Sequence, residues 1–158
     1  MPKPDMSLAV NVNVTGSIDS NNKLNATATY TQGTTVPAST NVVDANGDIN
    51  LNNMNDVGNR YSNQTDITFM LSGTITDQNG NSYSVVYPDT VAQAVNIQEK
   101  GGGGHGQLTP SLPSESSLLI DDSDTDGQDY TYCLTVEPNM ISADDIPTCP
   151  LDPQVVNR

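Results

Sequence analysis

The chain has 158 residues, 19 of them acidic and 5 basic, for a formal net charge of −14. A surface so one-sided repels phosphate backbones and anionic lipid, which sets nucleic acid and membranes aside as partners. The length suits one domain, residues 1–158, with a core large enough to stand without staples. Period-two alternation begins at once: Leu8, Val10, Val12 and Val14 are separated by Ala9, Asn11 and Asn13, which predicts a half-buried strand. A turn at Asp19-Ser20-Asn21-Asn22 leads into a second alternating run, Leu24, Ala26, Ala28, Tyr30, and the two runs predict a hairpin. Residues 31–40 are Thr-rich and broken by Pro37, as a loop or an edge strand would be. Asn46-Gly47 marks a turn, a short strand is expected around Ile49 and Leu51, and residues 52–64 read as a long polar loop.

The most hydrophobic strand is predicted over residues 65–76, with Ile67, Phe69 and Leu71 on one face, and it is expected to lie centrally. Asn79-Gly80 turns it back into a return strand carrying Tyr83, Val85 and Tyr87. Residues 91–98 fit a strand or a helical turn equally. Gly101 to Gly104 open a flexible insertion near 100–116, where two prolines suggest irregular structure. A short strand at Ser117–Ile120, an acidic loop at 121–129 and a strong strand with Tyr130, Tyr132, Leu134 and Val136 follow. A C-terminal tail, 138–158, is a loose segment with Pro138, Pro147 and Pro150 before a short strand near Val155 and Val156.

The composition agrees with this reading. The acids are 16 Asp and 3 Glu, beside 18 Asn and 17 Thr. Asp and Asn favour tight turns, Thr favours strands, and Glu, the helix former, is scarce. About seven to nine short strands with frequent turns predict an all-β fold, an immunoglobulin-like Greek-key β-sandwich, with a closed barrel as the alternative. Met1-Pro2-Lys3-Pro4-Asp5 shows no basic stretch leading into an apolar one. A cytoplasmic protein is therefore expected, with an extracellular fragment or a virion component as the alternative.

Two segments carry a resemblance. Ser117-Leu118-Leu119-Ile120, the acidic loop, and Asp129-Tyr130-Thr131-Tyr132-Cys133-Leu134-Thr135-Val136 together resemble the E strand, loop and F strand of immunoglobulin-like and PKD-like domains. The terminal Asp152-Pro153-Gln154-Val155-Val156-Asn157-Arg158, with the early Val-Asn-Val run, is similar to the DP-EP family of small bacterial β-rich proteins of unknown function. The resemblance implies the fold and no activity.

The clearest chemical signal is Asp122-Ser123-Asp124-Thr125-Asp126-Gly127, the first half of a calcium loop. Alternating aspartates on a tight turn can supply several of the six to eight oxygens that calcium takes. Asp122, Asp124, Asp126 and Asp129 are the candidate ligands. Position twelve is Cys133 rather than a bidentate Glu, so a solvated acidic turn is the competing reading. Asp44, Asn46 and Asp48, and likewise Asp77, Asn79 and Asn81, are weaker clusters that hairpin turns explain. Calcium is the only cofactor the sequence suggests.

Cys133 shares a face with Thr131 and Thr135, opposite the Tyr and Leu side chains, which puts it on the outer side of its strand. A bridge to Cys149 would pin the proline-rich tail to the sheet and add about 3 kcal/mol. In a reducing compartment both remain thiols. His105, among glycines, has no oriented partner in sequence reach for acid–base work. The chain contains no nucleophile elbow, phosphate loop or dinucleotide fingerprint. Scattered carboxylates could still meet in space as an enzyme's acid and base, but the absence of Trp and the single Phe disfavour a sugar-stacking cleft. The expectation is a non-enzymatic structural or interaction module, binding protein partners or copies of itself, with a calcium-dependent binding module as the alternative.

Overall fold

The computed structural model describes residues 2–56, 58–99, 108–122, 129–140, 145–152 and 154–157. The protein is all-β, a curled half-barrel sheet. The strands are β1 (Met6–Ile18), β2 (Leu24–Val36), β3 (Ile49–Asn50), β4 (Thr65–Thr76), β5 (Ser82–Val86) and β6 (Val95–Glu99). They continue with β7 (Leu108–Ser114), β8 (Ser117–Asp122), β9 (Tyr130–Pro138), β10 (Cys149–Pro150) and β11 (Gln154–Asn157). Helical structure is limited to single turns at Leu51–Asn53 and Val91–Ala94, and no described helix is long and apolar enough to cross a membrane.

One stretch of the sheet runs β2-β1-β4, with β8 and β7 continuing beyond the first half of β4 and β5 lying along its second half. The other stretch gathers β6, β11 and β10 around β9, with β3 beside β11. β5 joins the two, because Ser84 still pairs with Thr74 while Val85 and Val86 pair with Pro138 and Glu137. The alternation seen in sequence decides what lies between the stretches. Val10, Val12 and Val14 from β1, Ile67 and Phe69 from β4, and Tyr130 to Val136 at every second position of β9 fall in one hydrophobic cluster. Fully burying each such side chain contributes about 1.5–3 kcal/mol. Phe69 and Tyr132 meet at its centre with ring centroids 4.9 Å apart. Two of the buried tyrosines have their hydroxyls satisfied by backbone: Tyr87 donates to the Phe69 carbonyl, and Tyr132 to that of Gly47.

β1 and β4 run parallel, in register from Met6 opposite Thr65 to Ser17 opposite Thr76. The long parallel ladder departs from the all-antiparallel sheets of a Greek-key immunoglobulin fold. It is tightest at Gly73, whose φ is +127° and where a Cβ would lie 1.8 Å from the Val14 carbonyl oxygen. Gly73 also sits where β4 exchanges one neighbour for another, after the β8 pairing ends at Met70 and before the β5 pairing begins at Thr74.

Two expectations need revision, and two open alternatives are resolved. Among the described residues eleven strands are present rather than seven to nine, two of them only two residues long. β2 runs on to Val36, so most of the stretch given as a loop or an edge strand is an edge strand beside β1. Residues 108–114, read as irregular for their prolines, form β7; its bonded neighbour is β8 alone, and an edge strand tolerates proline. Residues 91–99 hold both a helical turn and a strand, in that order. The Gly101–Gly104 run and His105 lie outside the described residues.

Candidate functional site

Two of the Asp-rich turns, at Asp44 and Asp77, are the weaker acidic clusters of the sequence, and a third lies at Asp19. Asp19–Lys23, Asp44–Asp48 and Asp77–Asn81 are built alike. In each, the first Asp donates its N–H to the carbonyl four residues on, and its carbonyl accepts from the residue three on. That third-on residue has positive φ: Asn22 at 59°, Gly47 at 87° and Gly80 at 83°. The Asp Oδ1 accepts the N–H groups two and four residues on, at 2.9–3.1 Å. The carboxylates are thus bonded to their own turns. The N–H of Lys23, then that of Asn21, holds Asp19 below the usual carboxylate range, and Asn81 does the same for Asp77. Turn chemistry accounts for Asp44, Asn46 and Asp48, and for Asp77, Asn79 and Asn81, as the sequence suggested.

Of the four candidate calcium ligands, Asp124 and Asp126 lie outside the described residues. Asp122 ends β8 opposite Thr65 and Leu108, and it is buried on the core side with Leu118 and Ile120. Asp129 is half-buried just before β9. Among the described residues, no group of three or more His, Cys, Asp or Glu side chains is arranged to hold a metal.

Both cysteines are free. Cys133 lies on the outer side of β9, as parity predicts, half-buried, and its Sγ lies 2.9 Å from the Leu151 carbonyl. Burial, then Asp152 and Cys149, pushes its thiol upward. Cys149 pairs across from Val136, an inward position, so the register sets the two cysteines on opposite faces of the ladder. The segment is held to the sheet by backbone instead: the Leu151 N–H donates to the Leu134 carbonyl at 2.7 Å.

A groove of about 370 Å³ lies between β2, the turn at 44–48 and residues 150–154. It offers one carboxylate, Asp152, the amide of Gln154 and the Tyr30 phenol. Burial pushes that phenol up to about 12, so it stays protonated at neutral pH.

The broadest surface is the outer side of the β2-β1-β4 stretch, which sequence reading did not single out. On β1 it presents Asn11, Asn13, Thr15 and Ser17. Register sets Thr31, Thr29, Thr27 and Asn25 beside them on β2. On the other flank stand Met70, Ser72, Thr74 and Thr76 of β4. Leu119 of β8 and Ser84 of β5 extend it. Among the described residues, no outward position of β1 from Ala9 to Ser17, of β2 from Asn25 to Thr31 or of β4 from Thr68 to Thr76 is charged. The charges sit at its ends: the facing pair Asp66 and Asp121 at one, the turns at Asp19 and Asp77 at the other. The exposed large hydrophobic residues, Met70 at 44% and Val36 at 43%, both belong to this side; Val36 pairs with Ser7 and Met70 with Asn11.

Fold and surface together define an all-β protein with a curled sheet, a buried aromatic core and a broad neutral face. No protein-family model matches the chain, and no curated protein sequence matches it. Among solved structures it is similar to an inclusion body protein, PixA, from Burkholderia cenocepacia. The two share 10% identity over 98% of this chain and 96% of that one, with a TM-score of 0.46. A likeness at that level transfers nothing to this chain.

Proposed function

We propose that this chain is a non-enzymatic structural or interaction module that presents strand edges and sheet faces to protein partners, copies of itself among them. The observation that carries this reading is β2. It is a 13-residue strand bonded to β1 on one side, and no strand among the described residues pairs with its other side. Within Leu24–Val36 there is neither a charge nor a proline. Natural edge strands are usually blunted by such residues, and an edge without them is a template for pairing with another chain. The immunoglobulin-like sandwich is the narrower form of the reading. In its favour, β8 belongs to one stretch of the sheet and β9 to the other, as the E and F strands of such domains do.

Sedimentation velocity of the native chain over a wide concentration range tests the proposal. Species larger than one chain, or a stable complex with a second protein, are expected. A chain that stays strictly monomeric at its highest soluble concentration counts against self-assembly, and failure to retain any partner as well ends the reading.

A further inference from the structure

We infer that the neutral outer face of β2, β1 and β4 is a contact surface for a second copy of this chain, stacking sheet against sheet. The inference rests on the module reading above and names the surface it uses.

Charge is the first argument. Two chains of −14 repel one another, and a close approach between acidic surfaces would trap unpaired carboxylates. The rows through Asn13, Thr29 and Ser72, and through Thr15, Thr27 and Thr74, offer a partner no charge to desolvate. Serine, threonine and asparagine side chains are both donors and acceptors, so such a face is self-complementary, as a two-fold contact requires. A basic partner would be drawn to the acidic surfaces instead.

Apolar exposure is the second argument. Among the described residues, the two exposed large hydrophobic side chains both lie on this face, Met70 beside Asn11 and Val36 beside Ser7. Size is the third. About 33 Å of strand by about 19 Å across β2, β1, β4 and the row that β8 and β5 form beside β4 gives roughly 600 Å² a side, at the lower end of what a specific pair of proteins buries. A reversible association is therefore expected.

The test is sedimentation equilibrium of the full chain at low and high salt, for the native protein and three variants. Native chain should associate, and more tightly in high salt, because salt screens the net repulsion while the contact itself holds no ion pairs. Asn11→Asp with Asn13→Asp places like charges at the centre of the contact and should weaken association at least tenfold. Asn96→Asp adds a charge on exposed β6 in the other stretch and should leave it nearly unchanged. Met70→Ser should weaken association several-fold, and it keeps the test decisive if the double variant does not fold. Association that weakens with salt, or that both face variants leave intact, overturns this surface while the module reading stands. A native chain that never associates overturns this surface, and the module reading falls with it only if no second protein is retained either.

Discussion

Replacing Gly73 with Ala probes the parallel ladder at its tightest point. A Cβ there would stand 1.8 Å from the Val14 carbonyl oxygen, 2.7 Å from its carbon and 2.8 Å from its nitrogen. These are backbone atoms, so no rotamer change relieves the contact, and β1 must move by more than an ångström. The φ of +127° adds a conformational cost of about 1–3 kcal/mol for any residue with a Cβ. Forcing the strands apart adds about 1–3 kcal/mol in packing and strained ladder bonds. Together about 2–6 kcal/mol is lost, from a total that is ordinarily about 5–15 kcal/mol. Gly80→Ala is the matched comparison: φ is +83°, and no atom lies within 4 Å of the added methyl. It should cost only the conformational part, about 1–2 kcal/mol. Urea unfolding followed by circular dichroism reads both, as midpoints that fall with unchanged slope. Equal midpoints for the two variants would refute the close approach of β1 and β4.

Three further outcomes are expected. Burial, then the facing Asp121 and then Asp5, hold the Asp66 carboxyl above its usual range, so its favourable contribution is present when protonated and lost as pH rises through the folded pKa. Asp66→Asn should therefore stabilise by about 0.2–1 kcal/mol at neutral pH and by nothing well below the ordinary Asp value, and a urea midpoint no higher than native at pH 7 argues against the pair. Thiol titration without reductant should find two reactive thiols in denaturant, with Cys133 the slower in the folded chain because burial raises its thiol; a count of zero would mean the bridge forms. Asp124-Thr125-Asp126-Gly127-Gln128, which lies outside the described residues, is close in sequence to the turns at Asp44 and Asp77, with Asp126 where those have Asn46 and Asn79. Calcium in excess is accordingly expected to leave the melting temperature unmoved, whereas a concentration-dependent rise would restore the calcium reading, since a ligand of the native state must stabilise it.

Much of the fold is legible from period two. The runs through Val10 to Val14, Ile67 to Leu71 and Tyr130 to Val136 each place their inward side chains correctly, and the Asn-Gly pairs locate turns. Alternation says which way a side chain points; it does not say which strand lies alongside. Nothing in Val12 or Leu71 announces that they are neighbours in a parallel pair. The same gap hides the neutral face. Parity places Asn11, Asn13 and Thr15 outward, but only register brings Thr27, Thr29 and Ser72 beside them. Aspartate turns are ambiguous in sequence for another reason: a short carboxylate and a residue with positive φ serve a tight turn and a cation loop equally. At Asp44 and Asp77 the backbone N–H groups occupy the acceptor positions a cation would need.

The pairing of β1 with β4 also bears on how the protein is made. Emerging N-terminus first, the chain can close the β1–β2 hairpin as soon as Val36 is out, since all its contacts are local. The remaining edge of β1 then waits bare until Thr76 follows, about 40 residues and roughly 2–8 s of synthesis later. For that interval every nascent chain on a polysome offers an unpaired hydrophobic strand to its neighbours. Crowded synthesis is thus the moment at which this molecule is most exposed to wrong pairing, and slower translation through residues 37–64 would lengthen it.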